Sequence, residues 1–160
     1  MLTIRHAKIE DIPIVWQFVQ KKAAFDNWLD KLQATPEMLA KAMFADPPQM
    51  GVLLAEQDDR AVGFASYFFT FSTYMGRRCL WLDDLYVEED LRRKGIGTAL
   101  LRDLAKLAVK LSCPRVEWLA AADNARAISF YQQLGADVKH SLRLCRLDEP
   151  SIKKVAEGRI

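Results

Sequence analysis

The segment EEDLRRKGIGTALLRDLAKLAVKL, residues 88–111, runs three basic residues, Arg92, Arg93 and Lys94, straight into Gly95-Ile96-Gly97. Beyond the glycines, Ile96, Leu100, Leu104, Leu107 and Leu111 fall on one helical face and Arg102, Lys106 and Lys110 on another. That spacing predicts an amphipathic helix from about Gly95 to Leu111. A helix start carries unpaired backbone N–H groups and the positive end of the helix dipole, and glycine lets an anion approach that backbone closely. The junction is therefore a candidate phosphate cradle. The plainer alternative is a tight glycine turn beside a solvated basic surface.

Other phosphate motifs do not fit. There is no GxxxxGK[ST], which argues against a P-loop NTPase. The dinucleotide fingerprint needs a third glycine where Leu100 stands, and glycine directly after the strand, whereas Glu88 to Lys94 intervene.

Working outward, the chain has 160 residues, 51% apolar and 28% charged, which suits one globular domain over residues 1–160. A net charge of +2 argues against nucleic acid as the main partner. Cys79, Cys113 and Cys145 are far apart and lack CxxC spacing. They fit a reducing cytoplasm and argue against a zinc site or a disulfide framework, so no metal is expected. No signal peptide or membrane span is legible, and the expected compartment is the cytoplasm, with no membrane partner.

Leu2–His6 reads as a strand, and Glu10-Asp11 opens a helix carrying Ile12, Val15, Trp16, Val19 and Ala23 at helical spacing. Thr35-Pro36 starts a second helix that runs to about Phe44. Residues 50–56, 61–71 and 78–87 read as three strands joined by short turns, an antiparallel meander. After the 95–111 helix, strand 115–120, helix 124–134 ended by Gly135, and a last strand 138–147 complete the chain. The order βααβββαβαβ predicts an α/β fold. Its mixed sheet is antiparallel in the N-terminal strands, crosses over in parallel in the middle, and is flanked by helices.

Arg92-x-x-Gly95-x-Gly97 resembles the [QR]xxGx[GA] acyl-CoA pyrophosphate loop of the GNAT superfamily of N-acetyltransferases, whose element order the chain matches over nearly its whole length. A second segment, Asn124 to Ala136, NARAISFYQQLGA, resembles that family's N-x-x-A/S-x-x-FY-x-x-x-GF/A motif. The resemblance implies acetyl-CoA as co-substrate. Arg92, Arg93, Lys94, Gly95, Ile96, Gly97 and Thr98 would hold its phosphates, with the strand edge Leu85, Tyr86 and Val87 along the pantetheine. Asn124 and Phe130 would contact the CoA arm, and Tyr131 would act as general acid toward the thiolate. A narrower likeness covers residues 61–101 and points to the spermidine/spermine (diamine) and thialysine acetyltransferases, whose acidic residues hold cationic substrates. The matching positions are Asp83 and Asp84, with Asp26 and Asp30 aligning loosely. Asp83 stands where that group more often has Glu, and Leu142 stands where it has Trp, which bears on the identity of the amine.

The chemistry asks for a base, because an alkyl ammonium with a pKa of ~10.4 is charged at neutral pH. Asp83 or Asp84, acting through water, is the candidate. A regular strand turns only one of the two toward a cleft, and a bulge would relax that limit. The competing account of the pair is a solvated strand end or a salt bridge to Arg77 or Arg78. For Tyr131 it is a core aromatic beside Phe130. A backbone N–H near Leu85 to Val87 is the candidate oxyanion donor. The expected partner is a small cationic amine, and the family resemblance implies a homodimer. Protein lysine, N-terminal or aminoglycoside acetylation, and a non-catalytic CoA-binding module, are the alternatives.

Overall fold

Val52-Leu53-Leu54-Ala55 is apolar at every position, so a strand there must be covered on both faces. In the computed structural model, which describes residues 1–159, it lies inside a five-stranded sheet. The strands are β1 (Leu2–His6), β2 (Gly51–Gln57), β3 (Arg60–Ser72), β4 (Arg77–Val87) and β5 (Val116–Glu117), adjacent in that order. The first three joins are antiparallel, and β4 to β5 is parallel through helix α3 (Ile96–Lys110). The Asp58-Asp59 turn explains the tight β2–β3 hairpin. Both residues have positive φ, 51° and 60°, as a two-residue loop matched to strand twist requires.

Alternate residues of the sheet feed two separate cores. Leu53, Ala55, Ala65, Tyr67, Leu80 and Leu82 pack with Ile96, Leu100, Leu104 and Ala108 of α3. On the opposite face, Val52, Leu54, Phe64 and Tyr86 pack with Ile12, Val15 and Phe18 of α1 (Ile12–Phe25) and Met43 of α2 (Pro36–Met43). Phe18 stacks on Phe64 with ring centroids 5.5 Å apart. Helix α2 starts as its sequence predicts: the Thr35 hydroxyl accepts the Met38 N–H at 3.3 Å, and Pro36 holds the first position.

The chain falls into two compact units, Met1–Leu119 and a second beginning at Ala120. The sheet and α1–α3 belong to the first. The second holds α4 (Ala125–Gln133) and α5 (Glu149–Ala156). Two expectations are corrected. The strand expected at 115–120 spans only Val116–Glu117, and residues 138–147 form no strand. Alternating apolar residues make a strand only inside a hydrogen-bonded ladder, and residues 138–147 join none. Leu142, Leu144 and Leu147 are accordingly exposed. Helix α5 escaped the sequence reading although its signal is present: the Asp148 carboxylate accepts the Ser151 N–H at 2.9 Å, with Pro150 in the first turn.

Gly63 of β3 lies opposite Val87, and a Cβ there would sit 2.8 Å from the Tyr86 carbonyl oxygen and 3.4 Å from the Val87 Cα. Both neighbours are backbone, so β4 itself would have to move. Gly63→Ala is expected to cost about 1–3 kcal/mol, the scale of overpacking, read as a lower urea midpoint at unchanged slope.

Candidate active site

The acidic pair sits on an irregularity of β4. Ser66 of β3 faces Asp84, and the next residue, Tyr67, faces Leu82, which leaves Asp83 as the extra residue of a β-bulge. The Ser66 hydroxyl accepts the Asp84 N–H at 3.1 Å at the break in the ladder. The bulge also reverses the alternation of the strand. Leu80 and Leu82 pack toward α3 before it, whereas Leu85 and Val87 do so after it. Asp84 and Tyr86 are thereby turned toward α1.

Lys22, in the last turn of α1, meets them there. Its ammonium bonds to the Asp26 carboxylate and lies 3.7 Å from Asp84 Oδ1. It is close enough to act on both carboxyls of the pair. Burial pushes both Asp83 and Asp84 above the ordinary carboxylate value of 3.8, and Lys22 opposes this. Asp83 and Asp26 push Asp84 further up by like charge. Asp83, the bulged residue, is the more exposed of the two. The structure therefore brings Asp26, Asp83 and Asp84 together. Asp30 lies on the exposed 3-10 turn Leu29–Lys31 and is not among the charges acting on Asp84. Neither Arg77 nor Arg78 pairs with the carboxyls; Arg78 stacks 4.9 Å over Phe69.

A second feature uses the same C-terminal half of β4 and the loop that follows it. β5 pairs with β4 only at Leu80↔Val116 and Trp81↔Glu117, so β4 runs on past that ladder from Leu82 to Val87. After the 3-10 turn Glu89–Leu91, Arg93 and Gly95 take positive φ, 65° and 81°, and α3 begins. A Cβ on Gly95 would meet nothing within 4 Å, so glycine is needed there for its backbone angle and not for space. Whereas α2, α4 and α5 begin with a capping side chain, α3 has none. Its first helical bond is Ala99 N–H to Gly95 C=O at 2.9 Å, which leaves the amides of Ile96, Gly97 and Thr98 at the mouth of the loop. Buried Ile96 fixes that end to the core. Such a loop fits a diphosphate.

Arg93 and Lys94 are exposed on it, but Arg92 is engaged elsewhere. Its Nε donates to the Val87 carbonyl at 3.0 Å, and its guanidinium lies 4.7 Å from the Phe25 ring centre and 5.3 Å from that of Tyr86. It braces the loop against α1 and β4. Sequence reasoning missed both Lys22 and Phe25. Each sits on α1 at positions that look like ordinary surface and apolar sites.

In the second unit, Asn124 caps α4 by accepting the Ala127 N–H at 3.1 Å. The helix ends in a Schellman arrangement: Gly135 has φ 88°, its N–H bonds to Gln132 C=O, and the Ala136 N–H bonds to Tyr131 C=O at 3.0 Å. Tyr131 lies between these two ends, its ring 5.4 Å from that of Phe130, and burial pushes its phenol above the ordinary value. A phenol so raised keeps its proton at neutral pH.

The raised Asp84 pKa has a sign for stability. The folded state holds the proton more tightly than the unfolded chain, so ionisation weakens the fold as pH rises from the ordinary value of 3.8 through the raised folded value. Asp84→Asn is expected to raise the urea midpoint at pH 7 and to reduce the loss of stability across that interval. Unfolding titrations of both proteins from pH 4 to pH 8 measure it.

Residues 15–136 match the acetyltransferase (GNAT) family. The chain is 33% identical over 140 residues to spermidine/spermine N(1)-acetyltransferase-like protein 1 of Homo sapiens, covering 83% of this chain and 20% of that protein. It is 29% identical over 141 residues to thialysine N-epsilon-acetyltransferase of Bos taurus (83% and 82% covered). To L-ornithine N5-acetyltransferase NATA1 of Arabidopsis thaliana it is 27% identical over 197 residues (95% and 86% covered). The chain thus spans a fifth of the human relative and more than four fifths of the other two. Among solved structures, an integron cassette protein from the mobile metagenome of V. cholerae aligns with a TM-score of 0.78 at 26% identity, covering 98% of both chains. The aminoglycoside acetyltransferase meta-AAC0020 gives 0.78 at 19% identity, with 92% of this chain and 97% of that one covered, a likeness of fold alone. The chain belongs to the acetyltransferase (GNAT) family and is an acetyl-CoA-dependent N-acetyltransferase.

Proposed function

We propose that the protein acetylates a primary amine of a small cationic acceptor, a polyamine, diamine or thialysine-like compound, by direct transfer from acetyl-CoA. The observation that carries this reading is that the carboxylates of Asp26 and Asp84 meet an alkylammonium, that of Lys22, whose charge also acts on Asp83. The names of the relatives, which refer to spermidine/spermine, L-ornithine and thialysine, support it.

Acetyl-CoA supplies an acetyl group activated as a thioester. The amides of Ile96, Gly97 and Thr98, with Arg93 and Lys94, bind its phosphates, and the edge of β4 at Leu85, Tyr86 and Val87, past its ladder with β5, lies along the pantetheine. Asn124 and Phe130 contact the same arm, and Arg92 holds the loop in shape. Asp83 and Asp84 hold the acceptor's ammonium and, in the ionised form, accept its proton through water. The raised pKa of the pair brings the base closer to neutrality than an ordinary carboxylate. A backbone N–H in Leu85–Val87 donates to the oxyanion, and Tyr131 gives its phenolic proton to the leaving thiolate.

The test is thiol release with a panel of spermidine, 1,3-diaminopropane, thialysine, a lysine peptide and an aminoglycoside. The small amines are expected to be the best acceptors, and Tyr131→Phe to lose about 100-fold in kcat, the lower end of general acid–base catalysis. Absence of turnover with every amine, alongside tight acetyl-CoA binding, would leave only a CoA-binding module. Preference for the peptide or the aminoglycoside would move the acceptor class.

The same reading takes the enzyme to be a cytoplasmic homodimer. The exposed Phe69, Phe71, Tyr74 and Met75 of the β3–β4 hairpin and its turn support the dimer. Sedimentation equilibrium is expected to give twice the chain mass, and a monomer at micromolar concentration would overturn that part.

A further inference from the structure

Lys22 is an unusual neighbour for a site that binds cations. Its ammonium is carried on a four-carbon stem, so its last atoms are those of a primary alkylamine, the chemical group assigned above to the acceptor. Its bond to Asp26 alone would be an ordinary helix pair four residues apart. The 3.7 Å approach to Asp84 is different, because it reaches from α1 to a bulged strand and draws the side chain to 19% exposure. Lysine usually keeps its ammonium in water, so an exposure this low means that the carboxylates hold it. It is also the one cation among the charges acting on Asp83 and Asp84 in the described residues.

We infer that Lys22 determines acceptor affinity and specificity: its ammonium occupies the position at Asp84 that the acceptor's ammonium takes, and the two compete for it. This rests on the amine-acceptor reading above. The competition has a simple geometry. The bond to Asp26 gives Lys22 a second partner, so its flexible stem can withdraw from Asp84 without stranding the charge. An incoming amine then takes the place at Asp84, and the number of charges at the carboxylates changes only by those the acceptor brings. Weakly held monocations lose this contest more readily than acceptors with a second ammonium, which can also engage Asp83. Lys22 therefore lowers affinity for every amine and does so most for those with one charge.

Lys22→Met keeps the length and apolar stem of the side chain and removes its charge. With acetyl-CoA saturating, the KM of the variant for spermidine is expected to fall about fivefold, the scale of one partly screened ion pair. The KM for propylamine should fall further, with kcat within twofold of wild type and the KM for acetyl-CoA unchanged. Lys22→Gln should behave likewise, and Lys22→Arg should stay near wild type. A structural role for Lys22 would instead lower kcat and the melting temperature with no gain in amine affinity, and unchanged or raised KM values in both neutral variants would overturn the proposal. If the wild-type enzyme acetylates no amine, the function reading fails by itself. Calorimetric titration with spermidine then decides about Lys22: tighter binding to either folded neutral variant than to wild type supports the competition, and equal or weaker binding overturns it.

Discussion

One extra residue in β4 governs the arrangement of the first unit. Had the strand continued without the bulge at Asp83, the alternation set by Leu80 and Leu82 would have turned residue 84 toward Ile96 and Leu100 of α3. A carboxylate in that apolar layer would lack a partner, at a cost of several kcal/mol. The bulge exchanges the faces. Leu85 and Val87 complete the α3 core, Tyr86 joins Phe18 and Phe64 in the other, and Asp84 comes out beside Lys22. The Ser66 hydroxyl takes up the Asp84 N–H, so the break in the ladder leaves that donor satisfied. Packing of two cores and assembly of an acidic cluster are thus one event.

The C-terminal end of α1 ties this cluster to the glycine loop. Lys22 and Asp26 reach the bulge, while Phe25, between them in sequence, offers its ring to the Arg92 guanidinium. Arg92 in turn holds the Val87 carbonyl and stacks beside Tyr86, the residue whose orientation the bulge sets. A shift of α1 would be felt by the acids and by the loop together. The loop itself divides its work between an apolar stripe that anchors α3 and a first turn left without a capping side chain. That division is why a glycine with φ of 81° matters where a serine or aspartate would normally stand.

Much of this was legible residue by residue. The strands of the meander, the Thr35-Pro36 helix start, the amphipathic α3 and the Asn124–Gly135 helix all follow from signals acting over a few positions: apolar period, capping side chains and glycine angles. The same local logic failed at residues 138–147, where alternation alone says nothing about whether a ladder partner exists, and it overlooked Asp148 as a cap. At the acidic pair, alternation allowed one carboxylate in the cleft and left its identity open. The bulge leaves the charge of Lys22 acting on both carboxyls.

The sequence by itself determined the family, the glycine-helix junction and the candidates for acid and base, because those depend on residue types at fixed short spacings. Only the tertiary structure decided which acids meet, that Arg92 braces the loop instead of standing free on it, and that a lysine already sits among the carboxylates. Lys22 and Asp84 lie far apart in the chain. What joins them is the packing of α1 on a sheet whose register shifts by one residue, and neither a helical period nor a motif records such a shift.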